Sequence, residues 1–174
     1  MSRLSRPEPS EYASYFGQYV ELVPDGNLPD ILRSQLQATT ALLEGITEER
    51  GSFRYAPGKW SLKEVLGHMA DTERIMSYRL LRIARGDTTN LPGFSEEAFV
   101  AGASFDQRTI AELVDELAVV RQATLSLLQG IQDEAWLRKG TANNIEVSAR
   151  SLGYIIAGHE LHHRSVIEER YLKI

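Results

Sequence analysis

The sequence predicts an all-α fold, a four-helix bundle, and three observations carry that expectation. Four long stretches repeat apolar residues at spacings of three and four, capping signals stand where several of them begin, and no strand pattern of comparable length interrupts them. With 174 residues, 43% of them apolar and 25% charged, the chain suits one compact domain with a real core. That domain spans 1–174, with 1–27 as an N-terminal extension.

The first helix is expected over about Pro29 to Ile46, where Ile31, Leu32, Leu36, Leu42, Leu43 and Ile46 recur on one face. Pro29 suits a first turn because its missing N–H has no partner to lose there. Gly51 follows the polar end of this stretch. Upstream, Tyr12 to Leu22 reads as a short extra helix closed by Pro24-Asp25-Gly26. The second helix spans roughly Ser61 to Ala84, opened by a Ser61/Glu64 capping box and followed by Gly86. Its stripe is Leu62, Val65, Leu66, Met69, Met76, Leu80 and Ile83, with His68 on the edge; both methionines and Trp60 read as packing residues.

The connection from Asp87 to Phe105 is long for a bundle turn, and long connections often cross a bundle end or carry function. A short helix is expected near Glu96 to Val100. The third helix covers about Asp106 to Gly130, and Thr109 with Glu112 forms a second capping box that would start it a turn later. Turn signals fill Gln132 to Val147, where any short strand near Ile145 to Val147 is minor. The fourth helix runs from about Ser148 to Tyr171. Wound at 100° per residue, Leu152, Ile155, Ile156, His159, His163, Val166 and Ile167 share its inward face, with His162 at the flank.

Composition narrows the function classes. A net charge of −5 and the absence of a basic run argue against a nucleic-acid surface. With no cysteine, disulfides, thiolate nucleophiles and thiolate ligands are excluded, so any thiol chemistry must take its sulfur from a co-substrate. Met1 to Phe16 lacks the apolar centre of a signal peptide, and no stretch approaches the ~20 apolar residues of a membrane span. A cytoplasmic location is expected.

Three of the four histidines fall in His159-Glu160-Leu161-His162-His163, and the fourth is His68. On a helix His159 and His163 stack with Cβ atoms ~5–6 Å apart. Two imidazoles so placed can share an ion, and His68 from a facing helix completes three ligands with coordination positions left open. Asp71, one turn after His68, is the first candidate to orient a ligating ring, and Glu160 is the candidate general base. Arg79 and Arg164 are assigned no role. The same residues spell H-E-x-x-H, the zinc peptidase signature. That reading is disfavoured, because only eleven residues follow His163, the extended-motif positions are Val166 and Glu169, and a bundle offers no edge strand for a peptide.

The stretch Pro57-Gly58-Lys59-Trp60-Ser61-Leu62-Lys63-Glu64-Val65-Leu66-Gly67-His68-Met69-Ala70-Asp71, taken with the late H-x-x-H-H, resembles the DinB/YfiT-like family of metalloenzymes. The shared pattern is a Trp-Ser/Thr helix start, a histidine two turns in, and the histidine cluster near the end. The resemblance covers nearly the whole chain and implies a four-helix bundle binding a divalent metal through His68, His159 and His163. Many members carry glutamine just before the isoleucine after the last histidine; here that position is Val166. It also implies chemistry ranging from hydrolysis to transfer reactions using low-molecular-weight thiols.

Two functions of different class follow. The chain is a metal-dependent hydrolase or thiol transferase acting on a small molecule, or a non-catalytic, stress-related metal-binding bundle; purely structural histidines would bind no metal. Three imidazoles accept zinc, nickel, iron or copper alike. A homodimer would be the commonest assembly for such a bundle.

Overall fold

A computed structural model describes residues 4–173, so the extremes of the expected domain, residues 1–3 and 174, lie outside the described residues. In chain order it contains short helix α1 (Gly17–Val20), α2 (Leu28–Leu43), a single turn α3 (Glu48–Gly51), α4 (Leu62–Ala84), α5 (Glu96–Gly102), α6 (Ile110–Gln129), hairpin strands β1 (Lys139–Ala142) and β2 (Ile145–Ser148), and α7 (Ala149–Val166). The last continues as a π-helical stretch, Ile167–Leu172. Helices α2, α4, α6 and α7 form the four-helix bundle. Among the described residues no helix is long and apolar enough to cross a membrane.

Each long helix starts where a side chain can satisfy an otherwise unpaired backbone N–H. Asn27 caps α2 by accepting from the Asp30 amide. Reciprocal caps open α4 with Ser61 and Glu64, α6 with Thr109 and Glu112, and α7 with Ser148 and Ser151. The later of the two starts considered for the third helix is the one adopted, with Phe105–Gln107 as a separate 3-10 turn. Over Tyr12–Leu22, where a short helix is expected, a 3-10 turn Ser14–Phe16 runs into the one-turn α1.

Two features exceed the sequence reading. Turn α3 follows α2 directly, capped by Thr47. The turn-rich segment before α7 forms a hairpin in antiparallel register, Gly140 opposite Val147, with Asn143 and Asn144 supplying the positive φ values of its two-residue turn. Leu91 joins it as a third pairing element through hydrogen bonds from its N–H to Thr141 and from the Asn143 N–H to its carbonyl.

The apolar interior is divided in two. One cluster holds Leu32, Met76, Leu80, Leu125, Leu128, Leu152 and Ile155. The other holds Leu43, Leu62, Leu66, Met69, Leu113, Leu117 and Ile167. Near the junction of these sets all four helices carry polar residues: Gln35 and Thr39 on α2, His68, Thr72 and Glu73 on α4, Arg121 and Thr124 on α6, His159 and Glu160 on α7. All nine are buried. A polar layer therefore crosses the bundle at mid-height, and the histidines belong to it.

Candidate metal centre

Helix α4 presents His68 and antiparallel α7 presents His159 and His163, so the expected rings meet. One nitrogen from each ring lies within 4.8 Å of those of the other two. Nε2 of His159 stands 3.0 Å from Nε2 of His68 and 3.1 Å from Nε2 of His163. A ring nitrogen carries either one lone pair or one hydrogen, so His159 cannot make a full hydrogen bond to both neighbours. A cation at the common focus can take a lone pair from all three. Two nitrogens ligating one ion at ~2.0–2.1 Å, over angles of about 90° to 110°, would be roughly 2.9–3.4 Å apart, which brackets the observed separations.

Electrostatics favour the lone-pair form of each ring. Burial holds His68 down to about 4, with a smaller contribution from His162. Burial, then repulsion from His163 and His68, pushes His159 well below its ordinary value. Burial, then His68, does the same to His163. At neutral pH the cluster is uncharged, the state that imidazole ligands require.

The supporting residues differ from those singled out in the sequence. Asp71 does not hydrogen-bond His68; it pairs with Arg74 at 3.1 Å, and the group facing His68 Nδ1 is the Thr72 hydroxyl at 3.4 Å. Glu160 is not a free base beside the rings. Its Oε1 accepts from Thr39 at 2.6 Å, and its Oε2 lies 2.7 Å from Arg121 as an ion pair without hydrogen-bond alignment. Arg121 also donates to both oxygens of Glu73 at 2.8 Å and to the Leu32 carbonyl at 2.9 Å. The result is a buried carboxylate–guanidinium–carboxylate triad carrying one net negative charge. Thr72, Glu73, His159 and Glu160 line one small void, so this charge sits against the imidazole cluster.

Two aromatic residues complete the surroundings. Tyr19 meets both His159 and His162 edge-on, at 5.5 and 5.3 Å between ring centres. Trp60 lies 4.7 Å from the His68 ring and donates from Nε1 to Glu97 at 3.2 Å. His162 and His163 line a recess of about 240 Å³ together with Trp60, Glu97 and Tyr171. His162 itself lies outside the three-ring group. Neither Trp60 nor Tyr19 carried a spacing signal that distinguishes a site residue from a packing one. The Thr72 position, one turn after His68, was legible as a contact but is dominated by its acidic neighbour in any search for carboxylates.

A four-helix bundle with inward imidazoles on two facing helices defines a class of protein, and comparison with known proteins places the chain within it. The family description for the DinB superfamily matches residues 31–167, and the chain belongs to that superfamily. Among solved structures it is similar to YfiT from Bacillus subtilis, described as a probable metal-dependent hydrolase with an unusual four-helix bundle topology. That match has 16% identity and a TM-score of 0.72, covering 95% of this chain and 90% of the other. A DinB-like protein of Bacillus subtilis, YjoA, matches with 20% identity and a TM-score of 0.60, covering 82% and 87%. Comparison with curated proteins gives no match.

Proposed function

We propose that this chain is a divalent-metal-dependent enzyme acting on a small molecule, with His68, His159 and His163 holding the ion through Nε2. The observation that carries the reading is the convergence of these three nitrogens from two helices in an uncharged, buried cluster. A divalent ion held by three imidazoles is a Lewis acid with coordination positions to spare, able to lower the pKa of water or of a thiol. Hydrolysis is the favoured reaction, in keeping with the description of YfiT; transfer to a low-molecular-weight thiol is the variant that a cysteine-free chain accommodates with an external sulfur.

The chain's own groups have separable tasks. Thr72 orients the His68 ring, and the Glu73–Arg121–Glu160 triad supplies negative charge that favours a cation in the cluster. The recess beside His163 admits a small molecule, and Glu97 and His162 are among the titratable groups on its wall, with Lys59, Tyr55 and Tyr171, and are assigned the task of moving a proton there. The peptidase reading loses its base, since Glu160 is engaged by Arg121 and Thr39.

Elemental analysis of untagged protein tests this reading, with His68→Ala as the variant and circular dichroism confirming that both fold. About one divalent ion per chain is expected in the parent, with at least tenfold loss in His68→Ala. Equal metal content in the two proteins removes His68 from the site.

A further inference from the structure

The two buried arginines among the described residues are treated very differently. Arg121, 1% exposed, faces Glu73 and Glu160. Arg79, 6% exposed, has no carboxylate within ion-pair distance among the described residues. Its Nη2 donates to the Pro92 carbonyl at 2.7 Å, its Nη1 approaches Met76 Sδ at 3.8 Å, and its guanidinium lies 5.6 Å from the centre of the Phe94 ring. None of these neighbours carries charge. Burial alone pulls its pKa down, and a guanidinium still remains protonated in a protein. Folding therefore recesses a full positive charge without a counter-charge, an arrangement that costs stability and calls for a partner.

The place where this happens is a cavity of about 320 Å³, within the usual range for small-molecule sites. Phe16, Met76, Phe94 and Leu152 give it apolar walls, and Asn143 adds a carboxamide. The hairpin and the 87–95 connection build this wall: Gly93 lies where a Cβ would fall 2.4 Å from Asn143 Oδ1, so its lack of a side chain lets the carboxamide sit against the backbone. Glu96 also lines the cavity, and burial, then Glu97, pushes its carboxyl above the ordinary value, but it forms no ion pair with Arg79. Arg79 follows His68 by eleven residues on α4, roughly 16 Å along the helix axis, which sets this cavity apart from the imidazole cluster.

The geometry points to a second ligand site, in which Arg79 binds the oxyanion of a small organic anion whose apolar body fills the cavity between Phe16, Phe94 and Leu152. A charge-assisted, forked contact from the guanidinium supplies the affinity, and the Asn143 amide supplies a further donor. The assignment stands without any ion at the histidines.

Thermal melting of the full chain with phenylacetate, phenyl phosphate and neutral phenylacetamide, at constant ionic strength, tests it. A saturable rise in Tm is expected with at least one anion and none with the amide; the responding anion tells a carboxylate ligand from a phosphate ester. Arg79→Gln should weaken that anion at least tenfold, whereas His163→Ala should leave its affinity unchanged. In the parent, the NMR resonance of the Arg79 Nε–H should move along the same titration curve, a readout that needs no variant. Failure of both anions, equal response to the amide, retention in Arg79→Gln, or loss in His163→Ala overturns the assignment; the last would place the anion at the metal centre instead.

Discussion

Arg121 is the residue on which the polar layer turns. One guanidinium serves Glu73, Glu160 and the Leu32 carbonyl, so three of the four bundle helices meet at a single 1%-exposed side chain, which itself comes from the fourth. Replacing such a pair wholesale by apolar residues can be neutral, but deleting one partner strands the others in a medium that solvates them poorly. Arg121→Met should therefore destabilise the fold by about 3–5 kcal/mol in urea denaturation at neutral pH. It should also remove the hydrogen-bonding frame behind His159. A loss below about 1 kcal/mol would show that the two carboxylates are neutralised or hydrated in the folded state, on the scale of an ordinary hydrogen bond. At this scale the sequence was partly legible. His68, His159 and His163 were identifiable as a set because helical spacing alone stacks two of them. The partners of Glu160 were not, because Arg121 and Thr39 are distant in sequence and look like ordinary helix residues until the helices pack.

Among the elements, α1 and α7 approach each other closely at Gly158. A Cβ added to Gly158 would lie 2.0 Å from the Tyr19 carbonyl oxygen and 2.4 Å from its carbon, both backbone atoms that no rotamer change can move. Glycine costs a helix interior about 1 kcal/mol relative to alanine, so its presence in α7 reflects this contact and not helix propensity. The contact sets Tyr19 over His159 and His162. Gly158→Ala is expected to push α1 away, with a net cost of about 1–3 kcal/mol despite the gain in helix propensity. Amide exchange should quicken over residues 12–23 more than elsewhere; uniform exchange across the chain would contradict a local displacement. Element existence followed from periodicity for the four long helices, and the short α5 falls where a helix is expected near Glu96 to Val100, with a Ser95 cap that only the structure shows. The hairpin was only weakly signalled, since its strands are four residues each and its pairing with Leu91 is remote.

Across the whole molecule, the N-terminal segment is fastened to the start of α7 by charge. Glu11 accepts hydrogen bonds from Arg150 and from Ser148, and Ser151 donates to the Glu11 carbonyl at 2.9 Å. Arg150 foremost, against an opposing effect of burial, and Ser148 next, hold the Glu11 carboxyl at about 2, below the ordinary 4.5. A depressed carboxylate pKa means that the unfolded chain binds the extra proton in that window. Stability from this contact is thus fully present above about pH 5 and is lost as pH falls through 4.5 toward 2. Its size is on the order of 2–3 kcal/mol, from the shift and the deep burial of the carboxylate. Glu11→Gln should lose that amount at pH 7 and flatten the acid limb of stability against pH, as read from urea midpoints between pH 2.5 and 7. Parallel profiles for parent and variant would show that the tether carries no linked proton.

The amino-acid sequence by itself determined the helical class, the main boundaries and the imidazole trio, because periodicity and capping are local properties written within a few turns of chain. Only the tertiary structure decided that Glu160 faces Arg121, that Thr72 rather than Asp71 meets His68, and that a hairpin walls a cavity around an uncompensated Arg79. Those outcomes depend on which faces the packed helices turn toward one another, and burial makes every such pairing a question of three-dimensional neighbours.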